Sequence, residues 1–423
     1  MAAPLPSNRL RAGMVGMGMI FDETYRPMFE ALHEHGLYSR DFGIVDVSLA
    51  GVATLTGARA EVYKRQSAGR VADFSSFSGP GAVQALIASG VDFACVATPD
   101  DRHFDAARLT IEAGRHVLIE KPSVLTLQQL DVLLDLAAKK DVLAKVAYHK
   151  LCDPDHKRLR TLVHDGDLRH VNSGYCSLLE PKSIATGQFA EWIHGRNPGT
   201  YVAVHYVKLI DFTFGGRLKT VTCTGQRGIV GAADGDTWDS IQLRLVYEYG
   251  DGREAAFDIH TSWVHPDNFP GSVEQEVQFR FDNGAWNGHG RKRGVELTIE
   301  GRTPLALKTT INTHYNGACL EPWGERTQRG YGIEALRRFV EEVAYVEFGG
   351  NNADRRDRLV KMRGLLYNDL AADRPVVAAV QAMEAILAHA AAGRPDGVVR
   401  IDSAGVLTLH LPGEAHGVVL YPW

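Results

Sequence analysis

The feature that most constrains this chain is an alternation of short apolar runs with helix-periodic stretches over residues 9–147. It opens with Leu10-Arg11-Ala12-Gly13-Met14-Val15-Gly16-Met17-Gly18-Met19-Ile20, an apolar run ending in glycines, followed by helical spacing over 25–35. Apolar runs recur at 47–54, 91–99, 116–119 and 142–147, separated by helical patterns at 81–89, 103–113 and 127–138. Strands and helices in this rhythm pair in parallel through right-handed crossovers, which predicts a doubly wound sheet. After Asp153-Pro154 and a basic helix over 156–164, the pattern changes to period two. Stretches 171–179, 219–225, 240–249, 254–261 and 273–281 read as strands of a mostly antiparallel sheet, crossed by one helical stretch over 201–214. Residues 331–348 and 376–391 read as helices and 398–420 as short β runs, with no internal repeat.

Composition narrows the function classes. The 423 residues are 45% hydrophobic and 23% charged, enough for a large core, and length sets a soft prior of two to three domains. Forty-six Lys and Arg against 51 Asp and Glu give a net charge of -5 with both signs interspersed, so neither nucleic acid nor an anionic membrane is an expected partner. Cys95, Cys152, Cys176, Cys223 and Cys319 are widely spaced with no C-x-x-C, and read as reduced thiols of a cytoplasmic protein. No apolar run reaches the length of a membrane span and MAAPLPSNRL contains no apolar export core, so neither export nor anchoring is expected. The 17 histidines show no H-E-x-x-H or other tight ligand spacing, so no metal is expected, and no G-x-S-x-G elbow occurs.

Gly16-x-Gly18 between a strand and a helix suits a dinucleotide pyrophosphate. The first glycine makes the turn, the second admits the phosphate, and the helix start at Met19 and Ile20 supplies donors. Phe21 stands at the third fingerprint position instead of glycine. The strand Leu49-Ala50-Gly51-Val52-Ala53 runs into Thr54, not into the acidic residue that holds the ribose diol of NAD. NADP is therefore permitted beside NAD: Thr54, Thr56 and Arg59 are candidates for a 2'-phosphate, or Arg59 lies on the solvent face of the next helix.

Val96-Ala97-Thr98-Pro99-Asp100-Asp101-Arg102-His103 and Ala113-Gly114-Arg115-His116-Val117-Leu118-Ile119-Glu120-Lys121-Pro122 resemble the Gfo/Idh/MocA family, which includes glucose-fructose oxidoreductase and inositol dehydrogenase. Glu-Lys-Pro after an apolar strand is that family's most specific motif. The resemblance continues through Ala147-Tyr148-His149-Lys150, Asp153-Pro154 and residues 199–205, and fades over the last 25 residues. It implies a Rossmann domain over 9–147 and, over 148–423, an α/β domain for substrate binding whose large, mostly antiparallel open sheet often forms homodimers or homotetramers. It further implies hydride transfer to or from a secondary alcohol or ketone of a sugar, inositol or related polyol with NAD or NADP.

By the same resemblance, Lys121 is the cation that stabilises a developing alkoxide, placed past a parallel strand end where such sheets bind ligands. His205 resembles the histidine of the family's Asp-x-Gly-x-His motif and suits proton exchange near neutrality. Tyr201 replaces that motif's Asp, and is read as an acid or as packing beside the substrate ring; Lys208 stands where relatives often place Asp. Tyr148, His149 and Lys150 are substrate-contact candidates, joined by Tyr201 and His205, while Thr98, Pro99, His103 and Glu120 lie on the cofactor side with Lys121. Arg291-Lys292-Arg293 reads as a solvated basic loop, the other reading being a greeting for a substrate anion. Two alternatives stay open: a NAD-dependent glycosidase working by transient oxidation and elimination, and a non-catalytic dinucleotide-binding sugar sensor.

Overall fold

β1 (Asn8–Val15) lies in the middle of a parallel sheet because its apolar residues Leu10, Ala12, Met14 and Val15 are all buried. The computed structural model describes residues 8–67, 69–188, 193–230, 237–269, 273–289, 295–299, 307–350, 354–394 and 396–422, so Arg291-Lys292-Arg293 lies outside the described residues. After β1 come α1 (Arg26–His35), β2 (Leu37–Ser39), β3 (Gly43–Thr54), α2 (Ala58–Gln66), β4 (Ser75–Ser78), α3 (Ala82–Ala88), β5 (Phe93–Val96), α4 (His103–Glu112), β6 (His116–Glu120), α5 (Leu127–Lys140) and β7 (Ala144–Ala147). Among the described residues the sheet has seven strands in the order β2-β3-β1-β5-β6-β7, with β4 beside β3. Only β2 runs antiparallel to its neighbour. The strand order reverses at β1, so the carboxyl ends of β1, β3 and β5 open the crevice where such sheets hold ligands.

The helix expected over 25–35 is α1, and an irregular turn precedes it. Residues Phe21–Tyr25 form a π-helical turn, in which the Arg26 N–H donates to the Phe21 carbonyl, and the α-helix proper starts at Arg26. Pro27 has no N–H to give the Glu23 carbonyl, and the side-chain amide of Asn316 donates to that oxygen at 2.6 Å instead.

The next stretch holds α6 (Pro154–His164), β8 (Val171–Pro181), α7 (Val204–Phe214), β9 (Arg217–Gln226), β10 (Ser240–Glu248), β11 (Glu254–His265), β12 (Glu274–Phe281), β13 (Gly284–His289), β14 (Val295–Ile299) and β15 (Leu307–Ile311). Asp153 caps α6 by accepting from the Asp155 N–H, with Pro154 in the first turn. β16 (Gly317–Leu320) and β17 (Arg326–Arg329) form a hairpin, followed by α8 (Tyr331–Phe348), α9 (Arg355–Arg363), α10 (Arg374–Ala391), β18 (Val398–Ile401), β19 (Leu407–His410) and β20 (Val418–Tyr421). The second large sheet runs β13-β12-β8-β11-β10-β9-β18-β19-β20 and is antiparallel except for β8 beside β11. Its strands alternate buried and exposed residues, and Phe214 of α7 stacks on Phe257 and meets Phe279 edge-on at 4.8 Å. The fold is thus α/β, with a Rossmann sheet first and a large, mostly antiparallel sheet after it.

The chain divides into two compact units that no single cut separates. One holds residues up to Val124, Gln129–Cys152 and Tyr315–Asp373; the other holds Leu125–Gln128, Asp153–His314 and Arg374–Trp423. Among the described residues no helix is long and apolar enough to cross a membrane.

Candidate active site

In the first unit, the turn after β1 is built around Gly16. Its φ of +91° lies in the left-handed region, and a Cβ there would stand 2.3 Å from the Ala97 carbonyl oxygen, so no other residue fits without moving the backbone. Gly18 has open space on the side where a Cβ would project. Met19 and Ile20 open the helix, and Phe21, at the third fingerprint position, is buried with its ring edge-on to Tyr63 at 5.2 Å. A close-set glycine, an open one and a helix start form a cradle that fits a pyrophosphate.

The end of β3 carries Thr54, whose hydroxyl accepts from the Gly57 N–H at 3.0 Å and so shapes its own turn. Arg59, exposed on the first turn of α2, forms a hydrogen-bonded ion pair with Asp22 of the glycine turn. A link between these two turns was not foreseen; Asp22 directly follows the third fingerprint position, which was the available signal.

At the ends of β5 and β6 the parts are locked together by His103. One ring nitrogen lies 2.8 Å from the Pro122 carbonyl and the other 2.8 Å from the Thr98 carbonyl. Burial lowers its pKa against the upward pull of those carbonyls. The neutral ring donates to one of these carbonyls and lies against the other, so His103 braces the loop of Thr98 and Pro99 against the strand end of Glu120, Lys121 and Pro122. The Thr98 hydroxyl oxygen is buried without a hydrogen-bond partner and marks this wall as unfinished.

Glu120 is buried at the end of β6, and its Oε1 accepts from the Tyr25 hydroxyl at 2.9 Å. Burial raises the carboxyl pKa, with Lys121 and the Tyr25 hydrogen bond opposing. The residues after β7 are also buried: Tyr148 donates to Asp373 at 2.6 Å, His149 lies with its Nε2 3.8 Å from Glu120 Oε1, and Lys150 follows. Burial, then Lys121 and Lys150, push the His149 pKa down to about 3, so the ring is neutral near pH 7. Tyr315 presents its ring to His149 at 6.2 Å and donates to Glu23 at 3.3 Å. Tyr25, Tyr315 and Asp373 were all missed in the sequence: nothing local distinguishes them from packing or surface residues.

The second unit positions Tyr201 and His205. Tyr201 lies in a π-helical turn, Gly199–Ala203, and His205 is buried in the first turn of α7. The wider turn changes the angle between them from the one expected of a continuous helix over 201–214. The entry is fixed from α10: Glu384 accepts from Asn197 at 2.8 Å and from the Thr200 hydroxyl at 2.6 Å. Gly199 packs so tightly there that a Cβ would meet Met383 Sδ at 2.5 Å. Tyr201 lies 6.2 Å, ring to ring, from Trp263, whose indole N–H donates to the buried Glu180 at 2.8 Å. Lys208 is fully buried one turn beyond His205.

Residues 10–148 match the model of the Gfo/Idh/MocA family, described as an oxidoreductase family with an NAD-binding Rossmann fold. Scyllo-inositol 2-dehydrogenase (NADP(+)) IolW of Bacillus subtilis (strain 168) is 24% identical over 166 residues, 39% of this chain and 40% of that protein. The chain spans less than half the length of the curated relatives it matches first. Among solved structures, GenD2 from gentamicin A biosynthesis in complex with NAD superposes with a TM-score of 0.65 at 20% identity, over 95% of this chain and 100% of that one. An inositol dehydrogenase homolog from Azotobacter vinelandii, complexed with NADH and myo-inositol, gives 0.64 at 17% identity over 93% and 98%. At such identities these are likenesses of fold. Sequence match and fold agree over residues 10–148, which carry the NAD-binding Rossmann fold of the Gfo/Idh/MocA family model.

Proposed function

We propose that the protein is an NAD(P)-dependent dehydrogenase or reductase acting on a secondary alcohol or ketone of a sugar, inositol or related polyol. The observation that carries this reading is Glu120-Lys121-Pro122 at the carboxyl end of β6, in a sheet whose glycine turn fits a pyrophosphate. A relative named for scyllo-inositol and NADP, and a fold neighbour holding NADH and myo-inositol, support the substrate class. The nicotinamide, when bound, gives or takes the hydride. Lys121 supplies the positive charge that lowers the cost of an alkoxide on the substrate oxygen. His205 exchanges the hydroxyl proton, with Tyr201 the second candidate acid.

Gly16, Gly18, Met19 and Ile20 take the pyrophosphate side in this reading, and Thr98, Pro99 and Glu120 the nicotinamide side, with His103 acting through the strand ends it ties together. Because the Tyr148 hydroxyl is committed to Asp373, His149 and Lys150 are the stronger substrate contacts of that trio. No carboxylate follows β3, so NADP is accepted as well as NAD, its 2'-phosphate competing with Asp22 for Arg59 near Thr54. The proposal assigns nucleotide binding to residues 9–147, and substrate choice and assembly into dimers or tetramers to 148–423.

The test is a single-turnover reaction. Stoichiometric protein is mixed with NAD+ or NADP+ and a panel of inositols, sugars and glycosides, and reduced nicotinamide is followed by absorbance. Reduction that Lys121→Ala slows by about 100-fold or more supports the reading, a size typical of losing one charge-stabilising group. Reduction unaffected by Lys121→Ala, or none with any partner in either direction, would sink it.

A further inference from the structure

The helix that opens at Met19 and Ile20 does not run on as an ordinary helix. Phe21–Tyr25 form a π turn, and α1 takes over at Arg26 with Pro27 in its first turn. In an unbroken α-helix the Pro27 ring would press on the Glu23 carbonyl, four residues back, and would offer it no N–H. The π turn relieves that clash by carrying one residue more. One residue is about 100° of helix rotation, so the turn decides which way the helix start faces relative to α1. Gly18, Met19 and Ile20, the proposed pyrophosphate cradle, lie on that rotated start.

Single π turns are rare and concentrate at functional sites. This one is held from outside by one stretch of chain. The Asn316 side-chain amide donates to the freed Glu23 carbonyl at 2.6 Å. Its own oxygen accepts from Gln328 Nε2, on β17, at 2.6 Å, which fixes the direction of the amide. The Tyr315 hydroxyl donates to the Glu23 carboxyl at 3.3 Å. Gly332 closes on the turn so nearly that a Cβ there would stand 3.0 Å from Thr24 Cγ2. Of these contacts, the Asn316 bond alone meets the backbone oxygen that Pro27 leaves without a helical partner.

We propose that Asn316, set by Gln328, is a positioning residue for the nucleotide: by taking the Glu23 carbonyl it holds the π turn that aims Gly18, Met19 and Ile20 at the pyrophosphate. This rests on the pyrophosphate reading above and deepens it, because the aim of a motif at the start of the chain is then set by a hairpin nearly 300 residues later. Pro27 forbids the ordinary helix, and Asn316 completes the turn that replaces it. Neither residue touches the nucleotide in this scheme.

The full chain is titrated with NADH and with NADPH by quenching of tryptophan fluorescence, and thermal unfolding of each variant is recorded beside it. Asn316→Asp keeps the size and removes the N–H; Asn316→Ala removes the amide altogether. Both are expected to raise the nucleotide Kd about 10-fold or more, the effect of misdirecting a hydrogen bond to a charged group. Pro27→Ala separates aim from stability. Added to Asn316→Ala, it gives the Glu23 carbonyl an N–H, the turn closes as ordinary α-helix and the Tm recovers, while the Kd stays weak because the helix start faces elsewhere. Should Asn316→Ala fail to fold, Gln328→Leu loosens the amide without removing it and is expected to weaken Kd in the same direction. Unchanged Kd in folded variants of a wild-type protein that does bind nucleotide overturns this inference alone. A double variant whose Kd recovers together with its Tm overturns it too, since Asn316 would then serve stability only. Wild-type protein that binds neither nucleotide overturns the pyrophosphate reading and this inference with it.

Discussion

At Gly16 a Cβ would collide with the Ala97 carbonyl on a backbone already at positive φ, while nothing lies within 4 Å of the Cβ position at Gly18. The two glycines of one motif therefore separate by experiment. Gly16→Ala is expected to lower stability by more than about 2 kcal/mol, left-handed strain supplying about 1–2 kcal/mol and the clash with Ala97 adding to it. Gly18→Ala leaves stability within about 1 kcal/mol, since alanine at a compatible position restricts the unfolded chain. It nevertheless weakens NADH and NADPH binding about 10-fold, because the methyl occupies the space the phosphate needs. Thermal unfolding and fluorescence titration of both variants check this; Gly18→Ala binding as tightly as wild type would remove the pyrophosphate from that loop. At this scale the sequence was informative where chemistry is local. Gly16, Gly18 and the Glu-Lys-Pro triplet were readable because each needs particular neighbours in the chain. The double engagement of His103, the anchoring of Glu120 by Tyr25 and the commitment of Tyr148 to Asp373 were not, since each partner comes from another segment.

Elements show where periodicity stops informing. α8 was legible to the residue from its apolar spacing, whereas the π turns Phe21–Tyr25 and Gly199–Ala203 were not, because each is a single five-residue turn, too short to show a period of its own. How α8 is tied to the sheet was equally hidden. The Leu143 N–H donates to His116 Nδ1 at 2.8 Å, so that nitrogen bears the lone pair and the hydrogen on Nε2 goes to Glu347 at 2.8 Å. The imidazole is neutral in the fold, and burial holds its pKa below 6.5. Against the upward push of burial, the His116 N–H and the Arg355 guanidinium hold the Glu347 carboxyl down to about 2. The unfolded chain binds more protons than the fold at both groups, so this tie weakens as pH falls below 6.5 for His116 and from 4.5 toward 2 for Glu347. Glu120 and Glu342, raised by burial, act in the opposite sense, which makes a variant comparison necessary. His116→Phe is expected to cost about 1–3 kcal/mol at pH 7, the range for leaving buried partners unmet. Its Tm should then fall less steeply than that of wild type between pH 7 and pH 5. Parallel Tm curves over that interval would show that His116 does not carry the acid sensitivity.

Across the whole molecule, the Rossmann sheet was legible from residues 9–147, but what completes its unit was not. Residues 315–373 return to it after 162 residues spent elsewhere, from Asp153 to His314. Phe339 meets Phe93 of β5 edge-on at 5.5 Å, and Leu336, Val340, Val343 and Val346 are buried in the same core. A contact between residues 93 and 339 leaves no trace in any local pattern. Lys145 of β7 makes the dependence sharper, because it is fully buried and its ammonium meets groups of the returning segment. It donates to the Met362 carbonyl at 2.6 Å and lies 3.2 Å from Asp369 and 3.6 Å from Glu342. Five buried side chains of α8 are worth about 10 kcal/mol by area, an upper figure. That is comparable with the 5–15 kcal/mol that typically stabilises a whole domain. A fragment of residues 1–152 is therefore expected to show no cooperative calorimetric transition, even though it contains every strand of the parallel sheet. Joining residues 315–373 to it through a flexible Gly/Ser linker should restore a transition whose midpoint rises with NADH or NADPH, since a ligand that binds only the folded form stabilises it. Cooperative melting of 1–152 alone, with the same nucleotide response, would mean that the core under α8 is dispensable and that Lys145 finds water in place of its carboxylates.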